Sequence, residues 1–178
     1  MNGERNTAFS LAAYFGMFAR YNQWANARLY RMASLLPDAA YRRDVGAYFG
    51  SLHGTLNHLL TADRIWMNRL TRTGDHPNKL NAIVFEDLAE LRKAREAEDR
   101  RIIDYVSGLT DEAIGEPWDY QTLAGKPQRQ PLYEILGHFL NHQTHHRGQA
   151  HGILTALGVK EPDPLDLLVM QREQRPSA

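Results

Sequence analysis

Apolar residues recur at helical spacing in four separate stretches of this chain, and this pattern limits the possible folds most strongly. In the first stretch the apolar residues lie three, four or seven positions apart, the repeat that lines one face of an α-helix. They are Leu11, Phe15, Phe18, Ala25, Leu29, Met32 and Leu36, and Pro37 ends the pattern. Four helices of this kind, with little strand pattern, predict an all-α four-helix bundle.

The other three helices are bounded by residues that favour helix ends. The second is predicted over residues 51–71, with Ser51 as a good N-cap. The third is predicted over residues 86–107, and we interpret its many mixed charges as a solvated face with i,i+4 pairing. The fourth is predicted over residues 131–157, with Gly158 as its C-cap.

The segments between and after the helices predict smaller elements. In residues 117–130, aromatic and β-branched residues alternate with polar ones before a Gly-Lys-Pro turn, which predicts a short hairpin. This long connection between the third and fourth helices would permit a crossover topology. A short packing helix is predicted in residues 163–170. The total of 178 residues is about one domain's worth, so residues 1–178 are predicted to form a single domain.

Composition excludes several classes of function. Lys plus Arg equals Asp plus Glu at 21 each, so no net positive field is available to hold nucleic acid or an anionic membrane. No apolar run reaches the roughly 18 residues of a membrane span, and the first residues lack a secretory pattern, which predicts a cytoplasmic protein. The chain has no cysteine, so disulfides, thiolate metal ligands and a cysteine nucleophile are all excluded.

Histidine is concentrated in the fourth helix, as His138, His142, His145 and His146, with His151 just beyond them. Two histidines spaced i,i+4 lie one turn apart on one helical face and can meet a single metal ion. Both His138/His142 and His142/His146 satisfy this spacing. The helical phase, at about 100° per residue, places His142 and His146 nearest the bundle interior and His138 and His145 towards its rim.

A third metal ligand is expected from another helix, because two ligands hold a transition metal poorly. The second helix offers His53 and His58 on opposite flanks of its apolar stripe. Phase alone does not decide between them, although His58 shares its flank with other residues suited to helix packing. Imidazole ligands without thiolate suit divalent Zn, Ni, Fe or Co.

Three stretches of the sequence resemble the DinB-like (DinB/YfiT-like) metalloenzyme family, damage-inducible helical-bundle proteins of bacteria. They are RYNQWAN at residues 20–26, FGSLHGTLNHLL continuing into ADRIW over residues 49–66, and NHQTHHRGQ at residues 141–149. The His-Arg-Gly-Gln block in the last stretch is the most specific. The similarity covers the chain from about Phe15 to Leu168.

The resemblance implies an up-up-down-down bundle, often a homodimer, that holds a divalent ion on three histidines. Carried over by position, these ligands are His58, His142 and His146. It also implies a role in stress response, and family members of known activity include thiol-dependent transferases and isomerases that use bacillithiol or mycothiol.

These observations lead to the hypothesis that the metal activates a low-molecular-weight thiol towards a small electrophilic substrate. One alternative is a hydrolase that activates water, although no glutamate accompanies the histidines as in His-Glu-x-x-His. Another is a non-catalytic, metal-binding homodimer of the stress response. Asn22, His145 and Arg147 are candidates for supporting the metal ligands or contacting a substrate, and no catalytic residue is assigned.

Overall fold

The computed structural model describes residues 9–175, and the described chain is mostly helical. Its elements, in order, are α1 Leu11–Ala33, α2 Asp38–Tyr41, α3 Leu52–Thr71, α4 Leu88–Ser107, α5 Asp111–Gly115, β1 Pro117–Gln121, β2 Pro127–Pro131, α6 Leu132–Ala156 and α7 Leu167–Glu173. The four long helices α1, α3, α4 and α6 are those that the apolar stripes predict, so the all-α bundle is confirmed. None of the described helices combines the length and the apolar character needed to cross a membrane.

Side-chain caps fix where three of the long helices begin. The hydroxyls of Ser10 and Ser51 accept hydrogen bonds from the backbone N–H groups three residues later, and so does the carboxylate of Asp87. Each bond satisfies a donor that the first turn of a helix leaves free. The prediction of Ser51 as an N-cap is therefore confirmed, and α4 begins two residues later than predicted. Just after the C-terminal end of α6, Gly158 takes a φ of 97°, a left-handed backbone conformation that favours glycine.

The predicted hairpin is present between α5 and α6. Its strands β1 and β2 pair antiparallel, with Trp118 opposite Gln130 and Tyr120 opposite Gln128. Gly125 lies in the connecting turn with a φ of 75°, where a residue with a Cβ would be strained. The short C-terminal helix lies slightly further along the chain than predicted, and its buried Met170 packs against Tyr21.

The directions of the long helices differ from the up-up-down-down order that the resemblance implied. The early residues of α1 pack on the early residues of α6, because Phe15 and Leu140 share one core cluster while Leu29 and Leu154 share another. These two helices are therefore parallel. Asp63 of α3 pairs with Arg95 of α4, and Thr71 further along α3 meets Arg101, so α3 and α4 are also parallel.

The crossover responsible for this order lies between α3 and α4, whereas the sequence indicated only the connection between α4 and α6 as one that would permit a crossover. Residues 72–87 leave the end of α3 and return along it to its beginning. Asn68 donates to the carbonyl of Gly74 near one end, and Asn57 accepts from the backbone N–H of Phe85 near the other. Because the chain returns before α4 starts, α4 runs in the same direction as α3.

The interpretation of the α4 charges as a solvated face is wrong for three of them. Arg92 and Glu96 do form an exposed i,i+4 pair. However, Arg95, Glu98 and Asp99 are 1%, 7% and 3% exposed. They occupy the stretch of the inward face between the buried Leu91 and Ile102. Arg95 and Asp99 have partners on other helices, Asp63 and Asn26, while Glu98 pairs with Arg101 of α4 itself.

Candidate metal centre

Three histidines from two helices converge at one place in the bundle. His58 comes from the middle of α3, and His142 and His146 lie one turn apart on α6. One nitrogen from each ring can be chosen so that all three lie within 4.8 Å of one another. The described residues therefore contain a three-histidine group that could hold a metal ion.

The separation of the nitrogens fits a shared ion. His58 Nε2 lies 3.3 Å from His142 Nε2. Two nitrogens bound to one tetrahedral ion at about 2.0–2.1 Å would be about 3.3–3.4 Å apart. The donor set is also suitable, because neutral imidazoles bind divalent transition metals.

Hydrogen bonds to the outer ring nitrogens orient two of these histidines. His58 Nδ1 lies 2.7 Å from the carbonyl oxygen of Leu80, which can only accept, so this nitrogen carries the proton. The Nε2 of His58 is then unprotonated and available to a metal. His146 Nδ1 is held in the same way, 2.7 Å from Oε1 of Gln149. Such partners fix the tautomer and the orientation of a metal-binding histidine.

The surroundings of the cluster keep the rings uncharged. Burial lowers the pKa of His58 to about 4 and that of His142 to about 3, and the neighbouring histidines lower the pKa of His142 further. Burial also lowers the pKa of His146. Neutral imidazole is the form that binds a metal, so these rings are ready to bind without first losing a proton.

An open cavity of about 570 Å³ leads to the three histidines. The ring of Phe49 forms one wall and stacks on His58 with centroids 3.8 Å apart. The lining residues are Tyr48, Phe49, His58, Leu80, Asn81, His142, His145, His146 and Gln149. Among these described residues there is no carboxylate. A small molecule can therefore reach the cluster through this cavity, whose described lining carries no fixed negative charge.

Acidification should weaken the metal-free protein more than a variant without these histidines. Unfolded histidines take up protons near pH 6.5, whereas the folded pKa values of His58 and His142 are lower, so the unfolded state binds more protons as the pH falls. We expect the free energy of unfolding in urea to decrease between pH 7 and pH 5. A His58→Gln/His142→Gln double variant should show a flatter dependence, and equal slopes would contradict this prediction.

The neighbouring histidines occupy different positions. His138 is exposed and packs on Trp66 with ring centroids 5.2 Å apart, outside the three-histidine group. His145 lines the mouth of the cavity, where the amide of Gln149 lies 3.2 Å from its Nε2. His53 points away from α6, and its Nε2 lies 3.1 Å from the carbonyl oxygen of Phe85.

Asn22 and Arg147 belong to a buried polar network and do not line this cavity. Arg147 is 2% exposed and donates to the side-chain oxygen of Asn22. Asn26 donates to Asp99 over 2.9 Å, and Asp99 also lies 3.1 Å from Arg95. Asn22 is thus a hydrogen-bonded polar residue within the bundle core and does not contact the cavity.

Sequence reasoning missed the part of this network that lies beside the metal centre. Gln143, the residue after His142, donates to the carboxylate of Asp63 and to the carbonyl oxygen of Leu59, the residue after His58. Burial raises the pKa of Asp63 to about 7, against the attraction of Arg95, whose Nη1 lies 2.6 Å away. The network thus joins α3 to α6 directly behind two of the three histidines. The sequence did contain a signal for this network, since Asp63 and Gln143 are polar residues on otherwise apolar faces of α3 and α6.

Comparison with known proteins agrees with this architecture. The model of the DinB family matches residues 6–176, nearly the whole chain. The chain belongs to the DinB family. Over 145 residues this DinB-family chain is 26% identical to the protein DinB of Bacillus subtilis (strain 168), covering 78% of this chain and 83% of that protein.

A solved structure shares the fold of this DinB-family chain. It is the crystal structure of a DinB-like protein from Bacillus cereus ATCC 10987, with a TM-score of 0.60 and 19% sequence identity. The match covers 79% of this chain and 91% of that one. At this level of identity the likeness shows the fold alone.

Proposed function

We propose that this protein is a metal-dependent transferase, in which a divalent ion on His58, His142 and His146 activates a low-molecular-weight thiol towards a small electrophile. The convergence of three neutral nitrogen ligands at the end of an open cavity is the observation that carries the proposal. When bound, the ion would act as a Lewis acid that lowers the pKa of a thiol reaching it. Zn, Ni, Fe and Co all suit these ligands.

The composition of the chain favours a thiol supplied from outside. The sequence contains no cysteine, so any sulfur nucleophile must arrive as a cosubstrate. The cavity offers Tyr48 and Phe49 as apolar walls, and Asn81 and Gln149 as polar groups that can orient such a molecule. His145 at the mouth can contact the same molecule.

The same lining disfavours hydrolysis by an activated water. Metal-dependent hydrolases commonly place a carboxylate beside the ion as a general base, as in His-Glu-x-x-His. None of the described residues that line this cavity is Asp or Glu. Glu134 precedes His138 by one turn, but it lies in the first turn of α6 and does not line the cavity.

The proposal is tested by measuring thiol transfer to a chlorinated aromatic electrophile. Metal-loaded protein is mixed with 1-chloro-2,4-dinitrobenzene and, in turn, bacillithiol, mycothiol, glutathione or cysteine. The sulfur–carbon bond forms as chloride leaves and the thiol proton passes to the buffer. We expect at least one thiol to be consumed faster than without protein, and the His142→Ala variant to return the rate to the uncatalysed level.

Two further arms give the experiment its controls. His151→Ala removes a histidine of the same helix that lies outside the cavity lining, and it should retain the rate. Thiol consumption that never exceeds the background across these thiols and a second electrophile, monochlorobimane, would overturn the proposal. Hydrolysis of nitrophenyl esters without any thiol would instead support the hydrolase.

The proposal also includes a cytoplasmic location and a homodimer. The cytoplasm is where low-molecular-weight thiols remain reduced, which the activity requires. The homodimer is a prediction from the family resemblance, and sedimentation of the full chain would test it.

A further inference from the structure

A second cavity lies between the later half of α3 and the β1–β2 hairpin, away from the three histidines. Its volume is about 670 Å³, and it shares no lining residue with the cavity of the metal centre. Arg69 and Arg72 enter it from α3 and its C-cap, and Tyr120 faces them from β1. Arg69 follows His58 by eleven residues, which is about 16 Å along the helix axis. The two sites are therefore separate.

Arg69 is an arginine of this cavity whose guanidinium has no charged or hydrogen-bonding partner among the described residues. Its guanidinium carbon lies 4.5 Å from the centroid of Trp66 and 5.5 Å from that of Tyr120, so two aromatic rings hold it in place. Within residues 9–175 no acidic side chain pairs with it, and it donates no side-chain hydrogen bond. Burial also lowers its pKa. A positioned guanidinium without a protein partner has all its donors free for a ligand.

The charge of the surrounding cavity is positive. Among the described residues that line the cavity, Asp119 alone is acidic. The Asp119 carboxylate already pairs with Arg129 over 2.8 Å. Arg72 donates to the backbone carbonyl of Asp119, so this contact leaves its charge uncompensated. The guanidinium carbon of Arg72 lies 5.2 Å from the centroid of Trp118. Two arginines thus face one cavity with little negative charge to balance them.

We propose that this cavity binds the anionic group, a carboxylate or a phosphate, of a small molecule, with Arg69 as the principal contact and Arg72 as the second. Planar guanidinium groups match both anions through paired hydrogen bonds. Two aromatic rings keep Arg69 oriented, so little side-chain freedom is lost when the anion binds. The proposal goes beyond the function proposed for the histidines and does not depend on it.

The test uses metal-free protein, so that it reports on this cavity alone. Inorganic phosphate or malonate is titrated at constant ionic strength, with chloride as the balancing anion, and amide and indole N–H signals are followed by NMR. We expect saturable shifts of the Trp66 indole and of the β1–β2 amides with at least one of the two anions. Saturation by phosphate only, or by malonate only, identifies which anion the cavity prefers.

Matched variants separate a specific site from general attraction of anions. Arg69→Gln should weaken binding by at least about 10-fold, since a charge-assisted bidentate contact is lost. Arg64→Gln removes the same charge from the same helix, where Arg64 packs on Phe85 outside this cavity, and should change the affinity by less than about 2-fold. If Arg69→Gln does not fold, Arg72→Gln provides the second variant, with an expected loss of about 3-fold.

Two outcomes would overturn the anion site. The first is a set of shifts that grow linearly with both anions and never saturate. The second is an equal loss of affinity in the Arg69 or Arg72 variant and in Arg64→Gln, which would show only the effect of overall charge.

Discussion

Replacing His142 with alanine is expected to reduce the affinity of the protein for a divalent ion by more than about 100-fold. Even residues that only support metal ligands cost about 10–100-fold in affinity when they are changed, so the loss of a ligand should cost more. The ring centroid of His142 lies 5.2 Å from that of His58 and 4.3 Å from that of His146, so His142 contacts both other members of the group. The measurement is elemental analysis of protein purified without a histidine tag, followed by competition with a chromogenic chelator.

His138→Ala is the matched control for this prediction. His138 stands one turn before His142 and has the same i,i+4 spacing to it, but it lies outside the converging group. We expect this variant to keep its metal affinity within about 3-fold, while His58→Ala and His146→Ala lose it as His142→Ala does. If His138→Ala were as damaging as His142→Ala, the ligand pair on α6 would be the alternative that spacing also allows.

Replacing Arg95 with methionine is expected to lower the free energy of unfolding by about 3–5 kcal/mol. Arg95 is 1% exposed and contacts two carboxylates, Asp63 and Asp99. Without the guanidinium these carboxyls must either remain charged in an apolar interior or take up protons at neutral pH, and both cost free energy. Urea unfolding followed by circular dichroism would measure the loss.

The same helix supplies the control for the Arg95 variant. Arg92 forms an exposed pair with Glu96, so Arg92→Met should change the stability by less than about 1 kcal/mol. The deficit of Arg95→Met should also shrink as the pH is lowered from 8 to 5.5. Removing Arg95 raises the pKa of the buried carboxyls in the folded state further above their value in the unfolded state. A carboxyl with a raised folded pKa destabilises the folded state at high pH, and this cost decreases as the pH falls. Equal losses in Arg92→Met and Arg95→Met would show that the network is not buried in solution.

The sequence predicted the histidine pair on α6 more securely than the third histidine of the group. The i,i+4 spacing restricted the α6 ligands to two pairs, and the helical phase favoured His142 and His146, which is the pair that the structure brings together. Phase could not separate His53 from His58, because both flank the same apolar stripe. The structure separates them, because His58 Nε2 lies 3.3 Å from His142 Nε2 while His53 Nε2 lies 3.1 Å from the carbonyl oxygen of Phe85.

The helix directions and the buried charges were beyond the reach of helical periodicity. Periodicity identifies the inward face of a helix, but it does not tell which neighbour lies there or in which direction that neighbour runs. A charged residue is expected to be solvated unless its partner is known. The partners of Asp99 are Asn22 and Asn26 on α1 and Arg95 on its own helix. Arg95 and Asp99 lie between Leu91 and Ile102 on one face of α4, and this spacing was the available signal.

The crossover segment orients the metal-binding region through its backbone. The carbonyl of Leu80 accepts from His58, and the carbonyl of Phe85 accepts from Asn57 while the N–H groups of Val84 and Phe85 donate to the same side chain. The carbonyl contacts can form whatever side chain stands at their positions, and the two N–H contacts exclude only proline. A substitution at Leu80 that leaves the backbone in place therefore keeps the contact to His58, whereas Val84 and Phe85 also pack against the core. Insertions and deletions in this segment would shift the Leu80 carbonyl along α3 and so change the orientation of the His58 ring.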